Sequence, residues 1–121
     1  MSDFKDISKI LTKYTEEVSD SIKEEAIDLG KKGADKLKQT SPKRTGKYGK
    51  GWKTTVKSGN NFINVTIHNK NYQLTHLLEK GHATRNGGRT RAIPHIQPVE
   101  SEVNEMFVKN VEKIIKNGGK R

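Results

Sequence analysis

From Phe4 onward, apolar residues recur every three or four positions: Ile7, Leu11, Tyr14, Val18, Ile22, Ala26, Leu29, Gly33 and Leu37. That spacing draws one stripe along a long amphipathic helix. Asp3 and Asp6 suit the positive end of a helix dipole, and Pro42 disfavours helical geometry just before itself. The helix is therefore expected over about 3–39, a rod of roughly 55 Å at 1.5 Å per residue. A globule of this length has a radius of gyration near ~14 Å, so one end of such a rod must overhang the core or lie on a neighbouring subunit. Gly30 and Gly33 each cost about 1 kcal/mol relative to alanine inside a helix. They mark either a bend or close contact, or a break between two shorter helices.

The period then changes. Trp52, Thr54 and Val56 alternate with polar residues, Ser58-Gly59-Asn60-Asn61 supplies turn chemistry, and Ile63, Val65 and Ile67 alternate again, which predicts a β-hairpin over about 52–69. A lone hairpin is only marginally stable, so its apolar face should pack on the first helix. Tyr72, Leu74, Leu77 and Leu78 predict a short helix over about 72–80, closed by Gly81. In 82–93, Asn86-Gly87 sits between two Thr/Arg arms and predicts a projecting hairpin with an arginine tip. Pro98 can occupy the first turn of a C-terminal helix over about 98–116, whose stripe is Val99, Val103, Met106, Phe107, Val111, Ile114 and Ile115. Gly118-Gly119-Lys120-Arg121 reads as a frayed tail. The fold class that results is α+β: a long N-terminal helix and a C-terminal helix on a small antiparallel sheet, with projecting basic loops.

Charge sharpens this picture. The 121 residues carry a formal net charge of +10, yet the ends nearly cancel. Between Leu37 and Val99 twelve Lys/Arg face a single acid, Glu79. Such a belt either faces a polyanion or acidic protein surface or keeps the domain in solution. With 30% hydrophobic residues the chain builds one modest core and one domain. The absence of cysteine excludes disulfides, thiolate zinc sites and cysteine nucleophiles. No apolar run is long enough to span a bilayer and the first residues lack an apolar signal core, so a soluble domain made in the cytosol is expected.

Little in the sequence reads as catalytic chemistry. His68, His76, His82 and His95 lack the convergent spacing of a metal site, and no cofactor motif is present. Gly46, Gly49 and Gly51 stand too close together for a phosphate-binding loop of the G-x-x-x-x-G-K-[ST] frame. Glu79 with His76 and His82 offers no nucleophile with an oriented base; such residues more often cap or pair. Tyr48 and Trp52 could stack on nucleic-acid bases, although Trp52 opens an apolar strand face and fits the core better.

Taken in order, three segments resemble the neck, or tail-completion, proteins that join head to tail in long-tailed bacteriophages. They are Ser41-Pro42-Lys43-Arg44-Thr45-Gly46 after a long helix, Tyr72 through Glu79 to His82, and Gly87-Gly88-Arg89 followed by Pro94-His95-Ile96-Gln97-Pro98. The resemblance spans about 3–116 and implies a non-catalytic virion protein, assembled in the host cytoplasm and placed at the head–tail interface. It implies a homo-oligomeric, six-fold ring between the portal or adaptor and head-closure proteins on one side and the tail terminator or tail tube on the other. Genomic double-stranded DNA would pass through its channel. Lys43, Arg44, Lys47, Lys50, Arg85, Arg89 and Arg91 would then face DNA or a partner without sequence preference. Phe4, Ile7, Leu11 and Tyr14 would form the subunit-interface end of the first helix. Charge alone supports an alternative, a stand-alone, sequence-independent nucleic-acid-binding protein.

Overall fold

The computed structural model describes residues 6–41, 47–71, 75, 78–79, 81, 83–89, 91–92 and 94–121. Thr15 decides where the long helix begins. Its hydroxyl oxygen accepts the Val18 N–H at 3.2 Å, and Glu16 and Glu17 fill the first turn, where the helix dipole favours anions. Helix α1 accordingly runs Glu16–Thr40, about 38 Å at 1.5 Å per residue, and the expectation of a helix from residue 3 is corrected. Ile7–Ile10 instead forms strand β1. The helical spacing of Ile7, Leu11 and Tyr14 arises from a strand and a turn that happen to bury the same residues. Ile7 and Leu11 lie in the chain's own core and Tyr14 packs against it. They are therefore not the overhanging end of a helix, and Phe4 lies outside the described residues.

After the single turn α2 (Lys47–Lys50), strands β2 (Trp52–Gly59) and β3 (Phe62–Asn69) form the hairpin, and α3 spans Ile96–Lys116. Most of 72–80, where the sequence predicts a short helix, lies outside the described residues; Thr75, Leu78 and Glu79 are helical. The sheet order is β1-β3-β2, antiparallel throughout. Alternation points Ile7, Ile63, Val65, Ile67 and Trp52 inward, all buried; on the outer face Asn64 donates to Asp6 (3.3 Å) and Thr55 bonds His68 (2.8 Å), while Ile10 and Phe62 stand exposed at the hairpin end.

α1 is the middle layer, packed on the sheet on one side and on α3 on the other. Gly30 does not break it. A Cβ there would sit 2.5 Å from Val65 Cγ1 and 3.0 Å from Thr54 Cγ2, so this position sets how closely helix and sheet approach. On the other side α3 buries Val99, Val103, Phe107, Val111 and Ile114, antiparallel to α1. Lys36 pairs with Glu102, Asn110 donates to Glu25 at 2.6 Å, and Ser21 donates to the Gly119 carbonyl.

The C-terminal tail is ordered, a correction to its reading as frayed. Gly118 and Gly119 take positive φ (65° and 104°), so that the Gly119 N–H reaches Ile114 O at 2.9 Å and the Gly118 N–H reaches Ile115 O at 3.3 Å. This is the Schellman closure that two glycines allow. It aims Arg121 at three acids of α1: Glu24 (3.1 Å), Glu25 (2.9 Å) and Asp28. The hydrogen bond from Arg121 is the main cause holding the Asp28 carboxyl below its ordinary 3.8.

Two outcomes follow from this packing. Gly30→Val should lower stability by about 1–3 kcal/mol through overpacking, read as a fall in the urea midpoint with unchanged slope. Arg121→Ala should cost about 1 kcal/mol at neutral pH, the scale of exposed ion pairs. Because the Asp28 pKa is depressed in the folded state, its share is present above pH 3.8 and is lost as pH falls through the lower folded value. Denaturation of the two proteins between pH 7 and pH 2 should therefore show the gap closing on the acid side.

Candidate functional site

A buried polar knot ties α2 and Glu79 to the start of α3. A one-turn helix cannot hold Tyr48 in place by itself; Gly51 N–H bonds Tyr48 O at 3.0 Å and Asn69 Nδ2 donates to the same carbonyl at 2.8 Å. Tyr48 is thereby turned inward. Its hydroxyl donates to Thr75 Oγ1 (3.1 Å) and lies 2.8 Å from His95 Nε2. Tyr48, Trp52 and His95 pack edge to face, with centroids 5.6–6.3 Å apart, a favoured geometry for aromatic quadrupoles. Trp52 Nε1 donates to Ser41 Oγ at 2.8 Å. With Tyr48 and Trp52 both buried, neither presents a face to a nucleic-acid base.

Glu79 completes the knot. Helix α3 starts without a side-chain cap from His95 and without an acid in its first turn, and Pro98 has no N–H to offer. The remaining donors converge on the Glu79 carboxylate: Oε1 accepts from His95 N (2.8 Å) and Ile96 N (3.0 Å), and Oε2 accepts from Gln97 N (3.3 Å). The same Oε1 lies 3.1 Å from His95 Nδ1. A carboxylate at a helix N-terminus satisfies orphan donors and opposes the positive dipole end. Tyr48, His95 and Glu79 thus form one joint, with the first two buried and both Glu79 oxygens engaged.

From this joint the cations project. Lys50 is exposed on α2. The arginine loop closes as a small hairpin: Ala83 bridges Arg89, Thr84 N bonds Gly88 O at 2.8 Å and Gly87 N bonds Thr84 O at 3.2 Å. Gly87 supplies the positive φ (81°) at the turn. Arg85, Arg89 and Arg91 are exposed, and Arg89 Nη2 also reaches back to Gly81 O at 3.4 Å. Lys43 and Arg44 lie outside the described residues, as do His76 and His82, and for Lys47 only its place at the start of α2 is described. Among the described residues no three His, Cys, Asp or Glu side chains converge as a metal site, and no helix is long and apolar enough to cross a membrane.

What sequence reasoning missed is the knot. Glu79 could be anticipated as a capping residue, but its partner helix lies far along the chain. The one local signal was the unused helix start at Pro94-His95-Ile96-Gln97-Pro98, which has no Ser, Thr, Asp or Asn to cap it.

Comparison with protein families finds a match over residues 5–81 to the family described as "Bacteriophage HK97-gp10, putative tail-component", more than half of the chain. The matched stretch runs from β1 to Gly81 and so includes Tyr48 and Glu79; the arginine hairpin and α3 lie beyond it. No curated protein and no solved structure matches the chain.

Glu79→Gln keeps the shape of the cap but removes its charge. It should lower stability by about 1–2 kcal/mol, and Glu79→Ala by about 2–3 kcal/mol, because the part-buried N–H groups of His95 and Ile96 lose their carboxylate acceptor. Tyr48→Phe should cost about 1 kcal/mol. Urea titration followed by helical circular dichroism measures all three.

Proposed function

Because the chain belongs to the HK97-gp10-like family of bacteriophage tail components, we propose that it is the head–tail connector, or tail-completion, protein of a tailed bacteriophage. It forms a homo-oligomeric, six-fold ring around the DNA channel, between the portal and head-closure proteins and the tail terminator or tube, and it works without catalysis. The observation that carries this reading is the joint at Tyr48, His95 and Glu79. It ties α2 to the start of α3 within a stretch, residues 37–99, that carries twelve Lys and Arg and one acid, and it commits that acid to capping a helix.

A basic surface of this kind suits a structure through which DNA slides. Lys and Arg contact phosphates without reading sequence, and an exposed arginine hairpin on a fixed base can settle against an acidic neighbouring ring as readily as against a duplex. The engaged carboxylate and the buried hydroxyl and imidazole favour a structural role over an enzymatic one, since none is presented to a substrate.

The test is assembly. Replacing Lys50, Arg85, Arg89 and Arg91 by Glu should yield folded protein and filled heads that fail to acquire tails, counted by electron microscopy of lysates. Normal yields of tailed, infectious particles would overturn the proposal. If the purified monomer instead binds duplex DNA tightly, with an affinity that falls steeply as salt rises, and is missing from mature particles, the stand-alone nucleic-acid-binding alternative replaces it.

A further inference from the structure

Among the described residues, two exposed apolar pairs lie on opposite layers. The first is at the hairpin end of the sheet. Ile10 and Phe62 are cross-strand partners and are 68% and 41% exposed. With Tyr14, Lys9 and Lys13 they line an open groove of about 580 Å³, in which Lys9 Nζ stands 6.0 Å from the Tyr14 ring centroid. The second patch is on α3. The flank of this helix beside its buried stripe carries Val108 and Ile115, seven residues apart and so on one face, and they are 59% and 43% exposed. Glu105 and Glu112 flank Val108 on the same side, with Lys109 beside them.

The geometry points to a head-to-tail contact between copies of this chain, with the Val108–Ile115 face of α3 from one copy seated in the Ile10–Phe62 groove of the next. The two patches match in chemistry. Each has an apolar centre, one flanked by the ammonium groups of Lys9 and Lys13 and the other by the carboxylates of Glu105 and Glu112. Opposite charge at the rim sets register and disfavours groove-to-groove or helix-to-helix pairing. Because the patches differ and α1 lies between their layers, the contact is heterologous, the class that propagates from copy to copy and closes into a ring when the rotation permits. This deepens the connector reading and rests on it for the ring, while naming which surfaces meet.

The chain has no cysteine, so engineered pairs report without background. The double variant Ile10→Cys/Val108→Cys should give a ladder of covalent multimers under copper-phenanthroline oxidation, both as concentrated purified protein and in particles. Each single variant should stay largely monomeric, and a mixture of the two singles should stop at dimers. Lys9→Glu/Lys13→Glu should reduce the ladder about tenfold, and adding Glu105→Lys/Glu112→Lys should restore it. A double variant that stays monomeric in both settings, or single variants that cross-link as readily as the double, overturns the interface. If that happens while heads still join tails in a manner dependent on this protein, only the interface falls. If the ladder forms but removing the protein leaves joining intact, the interface stands and the connector reading falls.

Discussion

One carboxylate organises the joint between α2 and α3. Glu79 is the only acid among twelve Lys and Arg between Leu37 and Val99, and it spends both oxygens on the backbone donors that open α3. The interaction does two things at once. It starts a helix that has no cap of its own, and it commits to that cap the one acid of a strongly basic stretch. His95 links the capped helix to Tyr48, and Tyr48 links it to the turn before β2. Local helix chemistry, core packing and surface field thus share a few buried atoms, and low polarity around them strengthens each hydrogen bond.

α1 supplies the second constraint. A chain with a small apolar fraction can still bury a core if one helix is used on both sides. Gly30 lets the sheet approach one side of α1, and the apolar stripe of α3 covers the other. The Arg121 clamp and the closure at Gly118 and Gly119 then hold the far end of α3 onto the acidic first half of α1.

Much of this was legible in the residues. The alternation of Ile63, Val65 and Ile67, the stripe from Val99 to Ile114 and the Asn86-Gly87 turn each carry their element in their own spacing. The start of α1 was not legible by the same means. Ile7, Leu11 and Tyr14 fit a helical period, but β1 is four residues long and is decided by pairing with β3, which no local pattern reports. Thr15-Glu16-Glu17 was the available local signal, a cap followed by acids, and a continuous stripe masked it. The tail failed for a related reason: two glycines read as loss of order unless the carbonyls they close upon are known. At the candidate site, the positions of Lys50, Arg85, Arg89 and Arg91 could be read as cationic loops. The joint beneath them depends on contacts between residues 16 to 47 positions apart and has no local signature.

The bonds between Glu79 and His95 also fasten the two ends of the intervening segment to each other, so the arginine hairpin grows from a closed base. Lengthening a loop whose ends are already fixed costs little, since closure entropy rises only with the logarithm of its length. The hairpin can therefore change in length at little cost to the domain that carries it.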